Sequence, residues 1–200
     1  IFELNTKGDI INYIPKHSQK IGFTTDDKFI ETITFAGLYV YDDVYNLKGK
    51  HYSKFDNNTP QYIVKILNHG NKTYLISVFN GLFAYENRKF RSYLYDNIWN
   101  EKKFKHITVN SKGQLVLAAE FGDVFVVEDN QRFKIINKIS KNEITGKTIN
   151  FLESYKDYLL IGTEKGINIY HNGIFRFLDK EQGLKDYNIK TSQIFDTKLW

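Results

Sequence analysis

Five histidines, His17, His51, His69, His106 and His171, are the residues of this 200-residue sequence best suited to bind a metal or move a proton. Ligands for one ion have to converge, which within one element shows as His-x-His or His-x-x-x-His spacing. Neither spacing occurs, so no metal is expected. Asp26-Asp27 and Asp42-Asp43 lack the alternating oxygen ligands and central glycine of a calcium loop, and they read as turn residues. Gly-x-Ser-x-Gly, phosphate-loop and dinucleotide signatures are absent, and the lack of cysteine removes thiolate nucleophiles, thiolate metal sites and disulfides. No cofactor is implied. Glu120 and Glu164 follow two matching apolar runs and keep a hydrolytic alternative open, since glycoside cleavage uses two carboxyl groups. Loop acids are usually solvated surface, so no catalytic residue is assigned and the chain is read as a non-enzyme.

Aromatic side chains offer the other chemistry, stacking on a ligand ring, and they make up 16% of the sequence. Tyr41, Tyr85 and Tyr170 recur at one position of a repeat, as residues that fill a seam between packed units do. Aromatics outside that register are better placed for recognition, because an apolar ring held on a loop has no packing reason to be there.

The repeat itself is announced by glycine followed by a strand-forming segment: Gly37-Leu38-Tyr39-Val40-Tyr41, Gly81-Leu82-Phe83-Ala84-Tyr85, Gly122-Asp123-Val124-Phe125-Val126 and Gly166-Ile167-Asn168-Ile169-Tyr170. The glycines are 44, 41 and 44 residues apart. A period of roughly 40 to 50 residues is what one four-stranded propeller blade occupies. Inside each unit, apolar residues alternate or run in short β-branched and aromatic bursts, which is a strand pattern rather than a helical one.

The fourth unit divides cleanly into strands over Ile149–Glu153, Tyr158–Thr163, Gly166–Tyr170 and Ile174–Leu178, with a turn at Ser154–Asp157. Asn172-Gly173 supplies the two residues a type I′ hairpin needs at positive φ. The third unit repeats the plan through Phe104–Val109, Leu115–Ala119, Asp123–Val127 and Phe133–Ile136, with turns at Asn110–Gly113 and near Asp129-Asn130. The second reads as Tyr62–Leu67, Tyr74–Val78, Leu82–Tyr85 and Phe90–Tyr93. The first gives Ile21–Thr24, Phe29–Thr34 and Leu38–Tyr41, with an insertion expected at Asp42–Lys50.

Ile1–Leu4 and Ile10–Ile14 look like the outer hairpin of an earlier blade, and Ile189–Phe195 opens a later one. The expectation is therefore all-β: a β-propeller of four-stranded antiparallel blades, near 1–16 (partial), 20–56, 62–95, 104–138, 148–180 and 189–200 (partial), in one domain. An open arc would leave inner faces bare and sheet edges unpaired; pairing of 1–14 with 193–200 would close five blades, and a larger ring of about seven blades, completed by chain outside this sequence, is the expectation preferred.

The fourth unit carries Leu160-Ile161-Gly162-Thr163, Gly166 to Tyr170, Phe177, Gly183-Leu184, Asn188, and Ile194-Phe195-Asp196 leading to Leu199-Trp200. This resembles the repeat of the two-component regulator propellers, the periplasmic sensor halves of hybrid histidine kinases of Bacteroidetes. The second and third units replace Ile-Gly-Thr with Ile76-Ser77-Val78 and Leu117-Ala118-Ala119. The resemblance implies a non-catalytic ligand-sensing ectodomain, periplasmic or extracellular, with an oligosaccharide ligand, a homodimer contact, and the rest of the propeller and signalling domains as partners. Asn188 matches the family asparagine and reads as a loop cap that satisfies backbone groups rather than as a ligand contact.

Composition agrees with a folded chain, 42% hydrophobic and 26% charged. A net charge of +5 is spread over 28 basic and 23 acidic residues, with only Lys102, Lys103 and Lys105 clustered, so no nucleic-acid partner is expected. Apolar runs such as Leu115–Ala119 fall far short of the ~18 residues of a membrane span, so this segment inserts into no membrane. Ile1 begins no charged and apolar leader, so any export signal is expected to lie outside the sequence.

In a propeller, the loops joining second to third strands share one face with the linkers between blades. That face would display Asn80, Glu120, Phe121, Glu164 and Lys165 from the first set, and Tyr95, Trp99 and Tyr187 from the second, with Trp99 leading. A glycan sensor is the first expectation, a protein-interaction scaffold on the same face the second, and a propeller hydrolase or lyase through Glu120 and Glu164 the third.

Overall fold

A computed structural model describes residues 2–4, 10–13, 18–25, 29–33, 37–43, 48–52, 59–79, 81–93, 104–119, 122–130, 132–192, 194–195 and 198–199. Side-chain surroundings are described at 22, 24–25, 38–41, 49, 59–79, 81–93, 104–119, 122–130 and 133–192. The chain divides into two compact units, residues 1–93 and 94–200.

The first unit begins with a two-stranded sheet of β1 (Phe2–Leu4) and β2 (Ile10–Tyr13). A four-stranded sheet follows, β3 (Ser18–Phe23), β4 (Phe29–Ile33), β5 (Gly37–Asp43) and β6 (Lys48–Tyr52). A second comprises β7 (Ile63–His69), β8 (Lys72–Ser77), β9 (Gly81–Glu86) and β10 (Lys89–Ser92). Strands adjacent in sequence pair antiparallel throughout both sheets. The insertion expected in the outer hairpin at Asp42–Lys50 lengthens that hairpin: β5 runs to Asp43 through a register shift after Tyr41, and β6 starts at Lys48. Val78, read as strand, lies in the turn after β8.

The second unit repeats the meander with β11 (Phe104–Val109), β12 (Leu115–Ala119), β13 (Val124–Asn130) and β14 (Arg132–Ile139). Next come β15 (Ile149–Tyr155), β16 (Tyr158–Thr163), β17 (Gly166–His171) and β18 (Ile174–Leu178), then a two-stranded sheet of β19 (Ile194–Phe195) and β20 (Lys198–Leu199). The turn expected near Asp129-Asn130 is instead strand, since Asn130 pairs with Arg132. Ile189, expected to open the last strand, packs on the preceding sheet beside Leu184. Asn172 and Gly173 have φ of 49° and 83°, the two positive values that a type I′ hairpin requires.

Every residue of β12 is buried, Leu115 through Ala119. In the second unit one seam joins Val116, Ala118, Val124 and Ile139 of the first sheet to Leu152, Leu159 and Ile161 of the second, with Tyr170 and Phe175 at its margin. The opposite face of the β15–β18 sheet buries Phe151, Leu160 and Ile167 against Leu178, Leu184 and Ile189. In the first unit Leu38 and Val40 of one sheet meet Ile63, Leu75, Phe83 and Tyr85 of the other. Of the recurring tyrosines, Tyr85 is buried in the seam of the first unit and Tyr170 packs at the margin of that of the second. Tyr85 lies 4.9 Å from Phe90, and Tyr170 lies 5.0 Å from Phe175 in the same cross-strand pairing.

One irregularity recurs in all four four-stranded sheets. The first strand slips register after its first residue, at Ser18, Ile63, Phe104 and Ile149, leaving Gln19, Val64, Lys105 and Asn150 as the extra residues. Such a bulge adds local twist and redirects the side chain it frees.

Candidate rim of turns and linkers

At the ends of the strands, the turn between second and third strands meets the linker that enters the same sheet. A hydroxyl makes the junction in both units. Ser77, opposite Ile63, accepts the Gln61 N–H at 3.2 Å and donates to the Gln61 carbonyl. Thr163, opposite Ile149, is fully buried; it donates to the Thr145 carbonyl at 2.9 Å, with the Gly166 carbonyl at 3.2 Å, and accepts the Lys165 N–H. Gly166 has φ +143°, and a Cβ there would stand 2.3 Å from the Leu178 carbonyl, so glycine is the residue the turn accepts.

The linker 140–148 is held along its length. Ser140 caps a short 3₁₀ turn, Lys141–Glu143, with the Glu143 carboxylate accepting the Ser140 N–H at 2.8 Å. Asp123 accepts the Lys141 N–H at 3.0 Å and pairs with Lys138 at 3.3 Å. Asn168, buried, grips Thr145 by both backbone groups: its Oδ1 accepts the Thr145 N–H at 2.8 Å and its Nδ2 donates to the Thr145 carbonyl at 3.0 Å.

Glu164 completes the clasp. Its two carboxylate oxygens accept the Lys147 and Thr148 N–H groups at 2.8 and 2.9 Å. Burial pushes its carboxyl upward, but these hydrogen bonds and neighbouring Lys165 outweigh that and hold it below its ordinary value of 4.5. A general acid in glycoside cleavage needs a raised value, whereas the Glu164 carboxyl is held low. Both of its oxygens clasp the linker backbone.

The other described candidates are Lys165, exposed in the same turn, and Tyr187, 45% exposed, with Lys180 Nζ 4.7 Å above its ring. Asn80, Tyr95, Trp99, Glu120 and Phe121 lie outside the described residues. Asn188 bonds a side chain: its Oδ1 accepts from Asn150 Nδ2 at 2.9 Å. The backbone-satisfying role belongs to Asn150, the bulged residue, which also donates to the Ile189 carbonyl at 2.9 Å.

Phe79 was not singled out by sequence, yet it is 68% exposed on the β8–β9 turn, with Val78 45% exposed beside it. Tyr62 backs it edge to face, with ring centroids 4.8 Å apart. Strand register makes Ser77 the equivalent of Thr163, one residue off the Ile76-Ser77-Val78 match read from the sequence, so Val78-Phe79 stand where the fourth unit has the charged pair Glu164-Lys165. Of the histidines, His106 Nε2 donates to the Ile149 carbonyl at 3.1 Å and ties β11 to β15. Among the described residues no three His, Asp or Glu side chains converge as metal ligands, and no helix is long and apolar enough to cross a membrane.

No protein-family model and no curated protein matches the chain. Solved structures do. The extracellular domain assigned to the hybrid two-component system BT3049 of B. thetaiotaomicron is similar with a TM-score of 0.73 at 14% identity, over 96% of this chain and 27% of that one. The extracellular domain assigned to the one-component system BT4673 of the same organism gives 0.70 at 18% identity, over 96% and 27%. PorZ, a surface component of the type-IX secretion system of Porphyromonas gingivalis, gives 0.70 at 13% identity, over 94% and 32%. The chain thus spans about a quarter to a third of the length of these proteins. With successive four-stranded antiparallel meanders and this likeness together, the chain has the β-propeller fold.

Proposed function

We propose that this chain is part of the extracytoplasmic sensor propeller of a signalling protein. In this reading it is non-catalytic, recognises a glycan-derived or other small ligand on the rim of turns and linkers, and relays binding through domain or dimer rearrangement. The observation that carries the reading is the fold match over 96% of the chain to an extracellular domain of a two-component system. The rim supports it: the side chains of Asp123, Glu164 and Asn168 hold the linker 140–148, so a ligand would meet a surface that is already ordered. Phe79 supplies an exposed aromatic ring of the kind that stacks on sugars.

Titration calorimetry of the intact ectodomain against a glycan library tests this reading. Saturable binding that Phe79→Ala weakens is the expected result. No binding across the panel, together with signalling indifferent to the same glycans, would remove it. The likeness to PorZ favours a second reading, a protein-interaction scaffold on the same rim. Specific co-purification of a protein, unaffected by sugars and lost in Phe79→Ala, would select it.

A further inference from the structure

At the other end of the strands, the hairpins of the two four-stranded sheets in the second unit enclose a cleft of about 400 Å³. Its walls come from the β11–β12 turn, the β15–β16 turn and the β17–β18 turn, all opposite in strand direction to the rim that bears Glu164. We propose that this cleft is a second binding site, for a compact uncharged molecule that carries hydroxyl groups around an apolar ring face.

The floor is apolar, formed by Val116, Val126 and Leu159 of the buried seam. The walls are polar but nearly balanced in charge, with Lys112 on one side and Asp157 on the other. One Asp157 oxygen is already engaged, accepting the Ser111 hydroxyl at 2.6 Å, a bond that also ties the two sheets together across the mouth. A charged ligand therefore gains little, whereas a hydroxyl-bearing one finds matched groups. Ser154 lines the cleft half-buried, and its hydroxyl bonds no protein group among the described residues. The Tyr170 hydroxyl accepts from Asn137 Nδ2 at 3.4 Å and keeps its own proton to donate.

Tyr158 supplies the stacking surface. It is 43% exposed and lies flat on His171, centroids 4.6 Å apart at 26°. His171 is itself fixed: Nδ1 donates to the Asp157 carbonyl at 3.1 Å, and Nε2 accepts from Asn172 Nδ2 at 3.1 Å. A ring held rigid before the ligand arrives loses little entropy on binding. An apolar floor with a few fixed polar groups, at this volume, is the usual build of a small-molecule site.

The test is residue-resolved amide NMR of the intact chain, titrated with glucose, galactose, N-acetylglucosamine and inositol to millimolar concentration. The expected result is saturable shifts confined to residues 110–114, 154–159 and 170–173 for at least one of them. Tyr158→Ala should weaken that binding about tenfold, the equivalent of one lost stacking contact. Phe79→Ala should leave it unchanged, which separates this site from the rim. Ser154→Ala, a small change at a half-buried site, should also weaken it. Absence of shifts at these hairpins with all four compounds, or binding that neither cleft substitution alters, would overturn the proposal. Rim binding could fail while the cleft still bound, or the reverse, so the two readings stand or fall separately.

Discussion

Gly162→Ala is the substitution that most directly tests how the blades pack. Gly162 stands directly across β15–β16 from Phe151, whose ring lies over the bare glycine backbone. A Cβ at Gly162 would fall 1.8, 2.2 and 2.5 Å from three atoms of that ring. The ring has no room to yield, because Phe151 is 5% exposed and packed among Leu160, Ile167 and their neighbours. Overpacking of this kind costs about 1–3 kcal/mol when the surroundings relax, and expelling a buried Phe costs about 3–5 kcal/mol. The expected loss is roughly 2–4 kcal/mol, or about 5–15 °C in melting temperature for a chain of this size. Thermal and urea melts followed by circular dichroism would read it. Made in a Phe151→Ala background, the same change should cost under about 1 kcal/mol, because the clashing ring is gone. Equal costs in both backgrounds, or a Gly162→Ala melt within about 1 °C of the parent, would refute the reasoning.

Glu164→Gln should weaken the linker clasp in a pH-dependent way. The Glu164 carboxyl is held below its ordinary value, so the stability it adds is present above that value and disappears as pH falls through the folded one. Melts from pH 7 to pH 3 should show the variant below the parent at neutrality, by about 1 kcal/mol given partial exposure, with the two converging in acid. Asn168→Ala should cost about 1–2 kcal/mol in urea denaturation, because it removes the buried amide that accepts the Thr145 N–H and shares the Thr145 carbonyl with the Thr163 hydroxyl. Ile161→Ala, at a fully buried seam position, should cost about 2–5 kcal/mol, while Ile174→Ala, at a position 65% exposed, should stay within about 0.5 kcal/mol. A pair of melts that failed to separate the two isoleucines would contradict the two-sided burial of the sheet.

The strands of the fourth unit were legible from sequence because their signals are local. Alternation or a short apolar run sets the strand, and Asn172-Gly173 sets the hairpin through backbone preferences that need no distant partner. Turn positions failed where neighbours overrode local chemistry: Asp129-Asn130 carry turn propensity, yet pairing across to Arg132–Phe133 draws them into the ladder. The rim was legible as a place, since turns and linkers meet there as propeller topology requires, but not as a set of roles.

Nothing near Glu164 in sequence says that its carboxylate is spent on N–H groups 16 and 17 residues back, or that Asn168 holds a linker rather than lining a surface. Phe79 is as apolar as the buried Phe83, and its exposure follows from the place of the β8–β9 turn, off the seam with the adjacent sheet. The strand order, the blade period and the seam tyrosines are therefore properties of the sequence itself. Which acids are free, which rings are exposed and where a cleft opens were decided by tertiary contacts, because those depend on backbone groups brought close only when separate sheets pack face to face.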